Sequence, residues 1–265
     1  MQNYSEAGYT VALTDKNEKS DSIKHASFFA RIDGEEVDRI VSFARDLSNK
    51  YEIAKINIAG EFGIPALVHL AKQPFIKCLN ETDQGFFVDK QVFSDRLKFL
   101  GLKDLKSELI NNVNELEGFL KRVQPPFILK PLQGGGGIGI YRINNTDELR
   151  TFELFITDNI QFHNKITQEG YLIEQIFDGE EVNIYGEMRN GVFHLFSAIK
   201  KVNYEKNNSL TWDKSYLINL EDLECYEKLI NAINIIANSI NFTDGFFGCA
   251  ALTREDKFNV LEIVP

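Results

Sequence analysis

The sequence predicts an α/β chain: a small parallel-sheet unit at the N-terminus, then a larger α+β unit built mainly on antiparallel strands. Three observations predict it. Between residues 8 and 73, short apolar runs alternate with amphipathic helical stretches, the pattern of βαβ units. A glycine-rich stretch, "FILKPLQGGGGIGIYRI" (127–143), stands between two strand-like runs. From residue 170 onward, hairpin signals surround one strong helical segment.

Taken in order, "GYTVALTD" (8–15) reads as a buried strand, and "EEVDRIVSFARDLSNKY" (35–51) places apolar residues at 37, 40, 41, 44 and 47, which is helical spacing. "AKINIAG" (54–60) reads as a short strand and "IPALVHLAKQ" (64–73) as a helix. "VDKQVFSDRLKFLGL" (88–102) reads as an amphipathic helix capped by Asp89 and stopped by Gly101. A further helix is expected near 146–157. Three apolar strands follow in 170–202, two of them joined by the turn signal "RNG". Residues 220–240 read as a helix with Leu223, Leu229, Ile230, Ile233, Ile236, Ala237 and Ile240 on one face, and "GFFGCAAL", "TREDK" and "FNVLEIVP" close the chain as a hairpin. Few residues precede the first strand, and the last strand stops at Pro265, so the chain reads as clipped at both ends.

The net charge is −10 and no dense Lys/Arg block occurs, which argues against a nucleic-acid or anionic-membrane surface. No apolar run is long enough to span a membrane, and no signal peptide is visible. Cys78, Cys225 and Cys249 stand far apart without a C-x-x-C pair, so neither a disulfide framework nor a zinc site is expected and a cytoplasmic setting fits. His25, His69, His163 and His194 lie in no ligand spacing and read as structural or surface residues.

Gly134 to Gly139 satisfies the dinucleotide-binding pattern G-x-G-x-x-G literally. That reading requires a helix after the glycines, whereas "IGIYRI" is β-branched and aromatic. A P-loop requires Gly-Lys-Ser/Thr, which is absent. A strand, a Gly-rich loop and a second strand instead make an antiparallel hairpin, whose backbone N–H groups can approach phosphate oxygens beside Lys130. The plain alternative is a surface hairpin without a ligand.

A helix carrying "DK", the strand "FILKP", the Gly-rich loop, "LIEQIFDGEE" and a terminal "LEIVP" hairpin occur in an order that resembles the ATP-grasp family, and within it the carbamoyl-phosphate synthetase and biotin carboxylase branch. The resemblance implies a Rossmann-like domain over 1–82, with its first strand missing, and an ATP-grasp domain over 83–265 with a lid subdomain near 115–172. It also implies the site. Lys90 and Lys130 match lysines that touch ATP phosphates, and Gly134, Gly135, Gly136 and Gly137 match the loop over them. Glu174, Gln175 and Ile176 match the adenine-binding strand, and Glu181 matches a ribose-proximal position. Glu262 matches a carboxylate that holds magnesium. Apart from the resemblance, Lys200 and Lys201, at the end of a hairpin strand, are candidates to face the γ-phosphate or a substrate carboxylate.

Each residue also has a plainer reading. Lys90 could be a solvated helix charge, Glu174 an edge-strand carboxylate and Glu181 a turn residue. Glu262 lies in an otherwise apolar run, where an uncompensated carboxylate is costly and a nearby cation would explain it. The pattern also departs from the family: Ala250 and Val264 occupy the positions of two further metal ligands.

The implied activity is ATP-dependent ligation, in which a small-molecule carboxylate is activated as an acyl phosphate and an amine or similar nucleophile displaces the phosphate. ATP and Mg2+ are the implied cofactors, and a homodimer is compatible with the resemblance. Two alternatives stand beside it. One is a non-catalytic nucleotide-binding protein of the same fold, favoured by Ala250 and Val264. The other is a nicotinamide-dependent oxidoreductase, disfavoured by the strand after the glycines.

Overall fold

The computed structural model describes residues 2–58, 63–78, 84–111, 113–132, 139–145, 148, 170–206 and 209–264. The chain divides into two units, Met1–Gln84 and Gly85–Pro265. In the first, α1 (Gln2–Glu6) precedes β1 (Ala12–Thr14), which pairs in parallel with β2 (Phe28–Ala30), Ala12 opposite Phe28 and Thr14 opposite Ala30. The helices α2 (Val37–Ser48) and α3 (Ile64–Ala71) follow. Val37, Ile40, Val41 and Ala44 share the inner face of α2 and meet Leu70, Ile76, Ile53 and Ile56. Pro65 sits in the first turn of α3, where its missing N–H leaves no bond unmade. His69 Nδ1 lies 2.9 Å from the Pro65 carbonyl, a structural role as expected.

Two expected strands change. The run 8–15 contracts to Ala12–Thr14, which is half-exposed rather than buried. Residues 54–58 are extended but belong to no strand: Ala54, Lys55 and Asn57 are exposed, and no neighbouring strand lies alongside among the described residues. Without a partner, the segment has no ladder to join.

The second unit begins with α4 (Gln84–Val88) and α5 (Lys90–Phe99). Asp89 caps α5, its carboxylate accepting from the Gln91 and Val92 amides at 2.7 and 3.1 Å. Gly101 ends the segment at φ +69. Then come β3 (Ser107–Ile110), α6 (Val113–Leu120), β4 (Phe127–Pro131), β5 (Tyr141–Ile143) and β6 (Tyr171–Gln175), and the four strands form an antiparallel sheet in the order β3-β6-β4-β5. Phe127, Leu129, Ile143 and Ile173 cover α6 through Leu116 and Phe119. Side chains alternate along a strand, so Lys130 and Glu174 project from the opposite face.

The glycine-rich stretch is the expected hairpin, with Phe127 opposite Ile143 and Leu129 opposite Tyr141. The strand after the loop is not the helix a dinucleotide fold needs. Gly134, Gly135, Gly136 and Gly137 lie outside the described residues, as does most of the helix expected near 146–157. Where the chain returns, Gly139 has φ +76, and a Cβ there would meet Pro131 Cγ at 2.8 Å. No other residue fits that position without distortion.

The remaining elements are β7 (Glu180–Arg189), β8 (Val192–Lys206), β9 (Ser209–Ile218), α7 (Tyr226–Ser239), β10 (Gly245–Arg254) and β11 (Lys257–Val264). The five strands make an antiparallel sheet in the order β11-β10-β7-β8-β9. Its inner face packs Val182, Ile184, Phe247, Ala251 and Ile263 against Leu229, Ile233 and Ile236 of α7 and Phe93 and Leu97 of α5. Asn190 and Gly191, at φ +50 and +77, form the turn that "RNG" signals. The helix expected over 220–240 starts later, at Tyr226, because Leu220–Asp222 is a separate 3-10 turn with Leu220 buried. The strands β2, β3 and β9 have no counterpart in the sequence reading.

Replacing Asp89 with alanine removes both cap bonds of α5. The expected loss is about 1 kcal/mol, read as a lower urea midpoint with an unchanged slope.

Candidate functional site

Glu174 lies near the end of β6 with 2% exposure. A carboxylate so buried stays ionised only with close compensation. Two lysines supply it. Lys130 Nζ donates to Glu174 Oε1 at 3.0 Å, and Lys103 Nζ donates to Oε2. The side chains of Lys103 and Lys130 are 4% and 11% exposed. Burial raises the Glu174 pKa, but the charges and hydrogen bonds of Lys130 and Lys103 outweigh it and hold the carboxyl below its ordinary value. Burial in turn lowers the Lys103 pKa; Glu174 opposes that, and Lys130 and Lys98 add to it. The three side chains carry one surplus positive charge.

This cluster stands at the foot of the glycine-rich hairpin, since Lys130 is the penultimate residue of β4. The Lys90 amide donates to the Leu132 carbonyl at 3.0 Å, tying the start of α5 to the same point. The Gln175 amide donates to the Lys106 carbonyl at 2.9 Å, and its side chain is exposed. Ile176, just past the strand, begins a short connection (176–179) to β7, so Glu174 and Glu181 flank the passage from one sheet to the other.

The outer face of the five-stranded sheet holds the second group. Glu181 on β7 is opposite Lys201 on β8, and their ion pair is 2.9 Å long. Burial alone lowers the Lys201 pKa, yet the Glu181 hydrogen bond and charge, joined by Glu262 and Tyr185, hold it above the ordinary lysine value. Glu262 therefore shares this face; it is half-buried beside a cation rather than sunk among apolar strands. Lys200 is placed otherwise. It is opposite Val182, a core residue, and pairs with Glu180 at 2.5 Å.

Ala250 on β10 is opposite Asn183 on one side and Glu262 on the other. Asn183 Nδ2 donates to Tyr185 Oη at 3.4 Å, while its Oδ1 is buried without a hydrogen-bond partner among the described residues. Such an atom invites a ligand. Among the described residues no three His, Cys, Asp or Glu side chains converge as a metal group. One carboxylate and one amide oxygen flanking Ala250 nevertheless suit magnesium, which takes hard oxygen donors and keeps much of its shell as water or phosphate oxygen. Val264 extends the apolar end of the same strand.

Sequence reasoning missed Lys103 and Asn183. Lys103 is distant in sequence from the carboxylate it meets, Asn183 reaches the site only through the pairing of β7 with β10, and neither belongs to a motif. A depression of about 460 Å³ rimmed by Asp178, Glu180, Asp222 and Glu224 includes none of Lys130, Glu174, Lys201 and Glu262, and its acidic rim is unsuited to phosphate. No helix among the described residues is long and apolar enough to cross a membrane.

Glu174→Gln leaves two buried lysines without a countercharge, and the expected loss near pH 7 is about 3 kcal/mol in urea unfolding. Because the folded carboxyl titrates below its ordinary value of 4.5, its stabilisation is complete above that pH and fades as pH falls further. The gap in stability between parent and Glu174→Gln is expected to narrow from pH 6 to pH 3, measured on the same urea series.

Comparison with known proteins gives a consistent result. Residues 123–263 match the sequence profile of the ATP-grasp domain. D-alanine–D-alanine ligase of Petrotoga mobilis is 26% identical over 145 residues, covering 52% of this chain and 45% of that protein. The L-amino acid ligase from Bacillus licheniformis superposes with a TM-score of 0.76 at 15% identity, over 97% of this chain and 61% of that one. N5-carboxyaminoimidazole synthetase from Staphylococcus aureus, complexed with ADP, gives 0.71 at 21%, over 100% and 66%. At these identities the structural likeness establishes the fold. The chain thus spans less than half the length of its curated relative and about two thirds or less of these structures. With the matched segment covering more than half of its residues, the chain belongs to the ATP-grasp family.

Proposed function

We propose that this chain binds MgATP and activates a small-molecule carboxylate for attack by an amine. The observation that carries the reading is the buried Lys103–Glu174–Lys130 cluster, positively charged overall, at the foot of the glycine-rich hairpin. A buried surplus cation beside backbone amides is suited to phosphate oxygens. The ligase names of the relatives support the amino-acid class for both substrates. The comparisons lend no support to a non-catalytic chain, the alternative that Ala250 and Val264 suggest.

In this reading Lys130 and Lys90 hold phosphate oxygens, the end of β6 at Gln175 and Ile176 receives the adenine, and Glu181 lies near the ribose. Glu262 and Asn183 hold magnesium. Bound ATP supplies the phosphoryl group that the substrate carboxylate accepts, and the amine then releases it as phosphate. Lys201 rather than Lys200 serves the reacting centre, because Lys201 shares the face with Glu262 and Lys200 is opposite the core residue Val182. Its charge, secured by Glu181, remains available to the phosphoryl oxygens.

The test is direct. MgATP or MgADP is expected to raise the melting temperature, with about 2.7 kcal/mol of linkage at a hundredfold excess over Kd, and NAD is expected to have no effect. Stabilisation by NAD without adenine nucleotides would sink the assignment. Phosphate release that depends on added amino acids tests the ligase step.

Lys130→Ala is expected to weaken MgADP about ten- to a hundredfold, and Lys200→Ala to leave it within about twofold, by calorimetry. Asn183→Ala is expected to reduce the gain in ADP affinity produced by magnesium while leaving metal-free ADP binding unchanged. An unaltered magnesium effect would remove Asn183 from the metal site.

A further inference from the structure

A single lysine would suffice to neutralise Glu174, yet two buried lysines meet it. An uncompensated charge in so enclosed a place is costly, so the second lysine calls for an explanation. If Lys130 were the sole partner, moving its ammonium to a phosphate would strip Glu174 of its countercharge. It would also set a buried carboxylate beside a phosphate of the same sign. Lys103 changes that balance. It reaches the other carboxylate oxygen, Oε2, so its bond to Glu174 does not depend on the position of Lys130. It comes from the loop before β3, outside the hairpin that bears Lys130, and its own side chain is the more enclosed of the two.

We infer that Lys103 is a positioning residue: it stays on Glu174 as a standing countercharge and so releases Lys130 to engage a phosphate group. The inference rests on the nucleotide reading above and deepens it. Without a phosphate both lysines share one carboxylate; with one bound, Lys103–Glu174 and Lys130–phosphate are two separately compensated pairs. Lys103 touches no phosphate itself. The competing explanation is a purely structural ion cluster that joins β4, β6 and the loop before β3.

The two explanations differ for ligands that isolate the phosphates. In Lys103→Met the remaining Lys130–Glu174 pair is neutral and locked. Inorganic tripolyphosphate and MgADP are expected to bind at least about tenfold more weakly, the usual effect of losing a charge-assisted contact. Adenosine, which has no phosphate, is expected to bind as to the parent. In a Lys130→Met background the Lys103→Met effect on tripolyphosphate is expected to vanish, because no lysine remains to be released. The double variant Lys103→Met/Glu174→Gln frees Lys130 by removing its carboxylate, and is expected to recover tripolyphosphate binding to within about threefold of the parent.

That double variant buries one charge fewer than Glu174→Gln alone, so it also decides the matter if Lys103→Met folds poorly. Equal tripolyphosphate affinity in Lys103→Met and parent, equal weakening of adenosine, or no recovery in the double variant would overturn the role of Lys103 and leave the nucleotide reading standing. A parent chain that binds neither MgADP nor tripolyphosphate overturns both.

Discussion

Every side chain of β7 must point to one face of its sheet or the other, and most of the larger unit depends on that constraint. As the central strand, β7 sends Val182, Ile184 and Met188 into the core against α7 and turns Glu181, Asn183 and Tyr185, each half-buried, to the outer face. A slip of one residue would bury Glu181 and Asn183 and expose the core. The apolar contacts therefore fix the register, and the register in turn brings Glu181 to Lys201 and places Ala250 between Asn183 and Glu262. The same alternation acts in the smaller sheet, where packing of Leu129 and Ile173 on α6 turns Lys130 and Glu174 the other way.

Much of this was legible in the sequence. The hairpin around the glycines, the turn at Asn190 and Gly191, the cap at Asp89 and the helix containing Ile233 rest on local patterns that tertiary structure did not override. The family likeness was legible for the same reason, because its motifs are short runs around such features. Of the strand expected over 54–60, the described residues 54–58 form none, because strand formation needs a neighbour, which a linear pattern does not report. The edge strand β9 was missed because its described residues 213–217 are all exposed, Leu217 to 78%, and give no alternating apolar face. In the site, Lys103 reads as one more loop charge, although 71 residues separate it from the carboxylate it meets. Choosing between Lys200 and Lys201 required strand register, since adjacent residues occupy opposite faces.

The substitution at Ala250 is easier to interpret across three strands than along one. In a sheet a ligand lost from one strand has neighbours at the same height about 5 Å to either side. Asn183 and Glu262 are those neighbours, and the Asn183 oxygen, which has no hydrogen-bond partner among the described residues, is what favours a rearranged donor set over a depleted one in the proposed reading.

The surplus charge around Glu174 has a further consequence, for selectivity. A fixed buried cation attracts any small oxyanion, and free phosphate in a cell competes for it on the same terms as a nucleotide. Charge therefore provides attraction without discrimination. Discrimination has to come from contacts that phosphate alone cannot make, and in the proposed reading the end of β6 at Gln175 and Ile176 supplies them, within a residue or two of the same carboxylate. In that reading attraction and identification are adjacent on one strand, so a change that shifts β6 along its neighbours alters affinity and choice of ligand together.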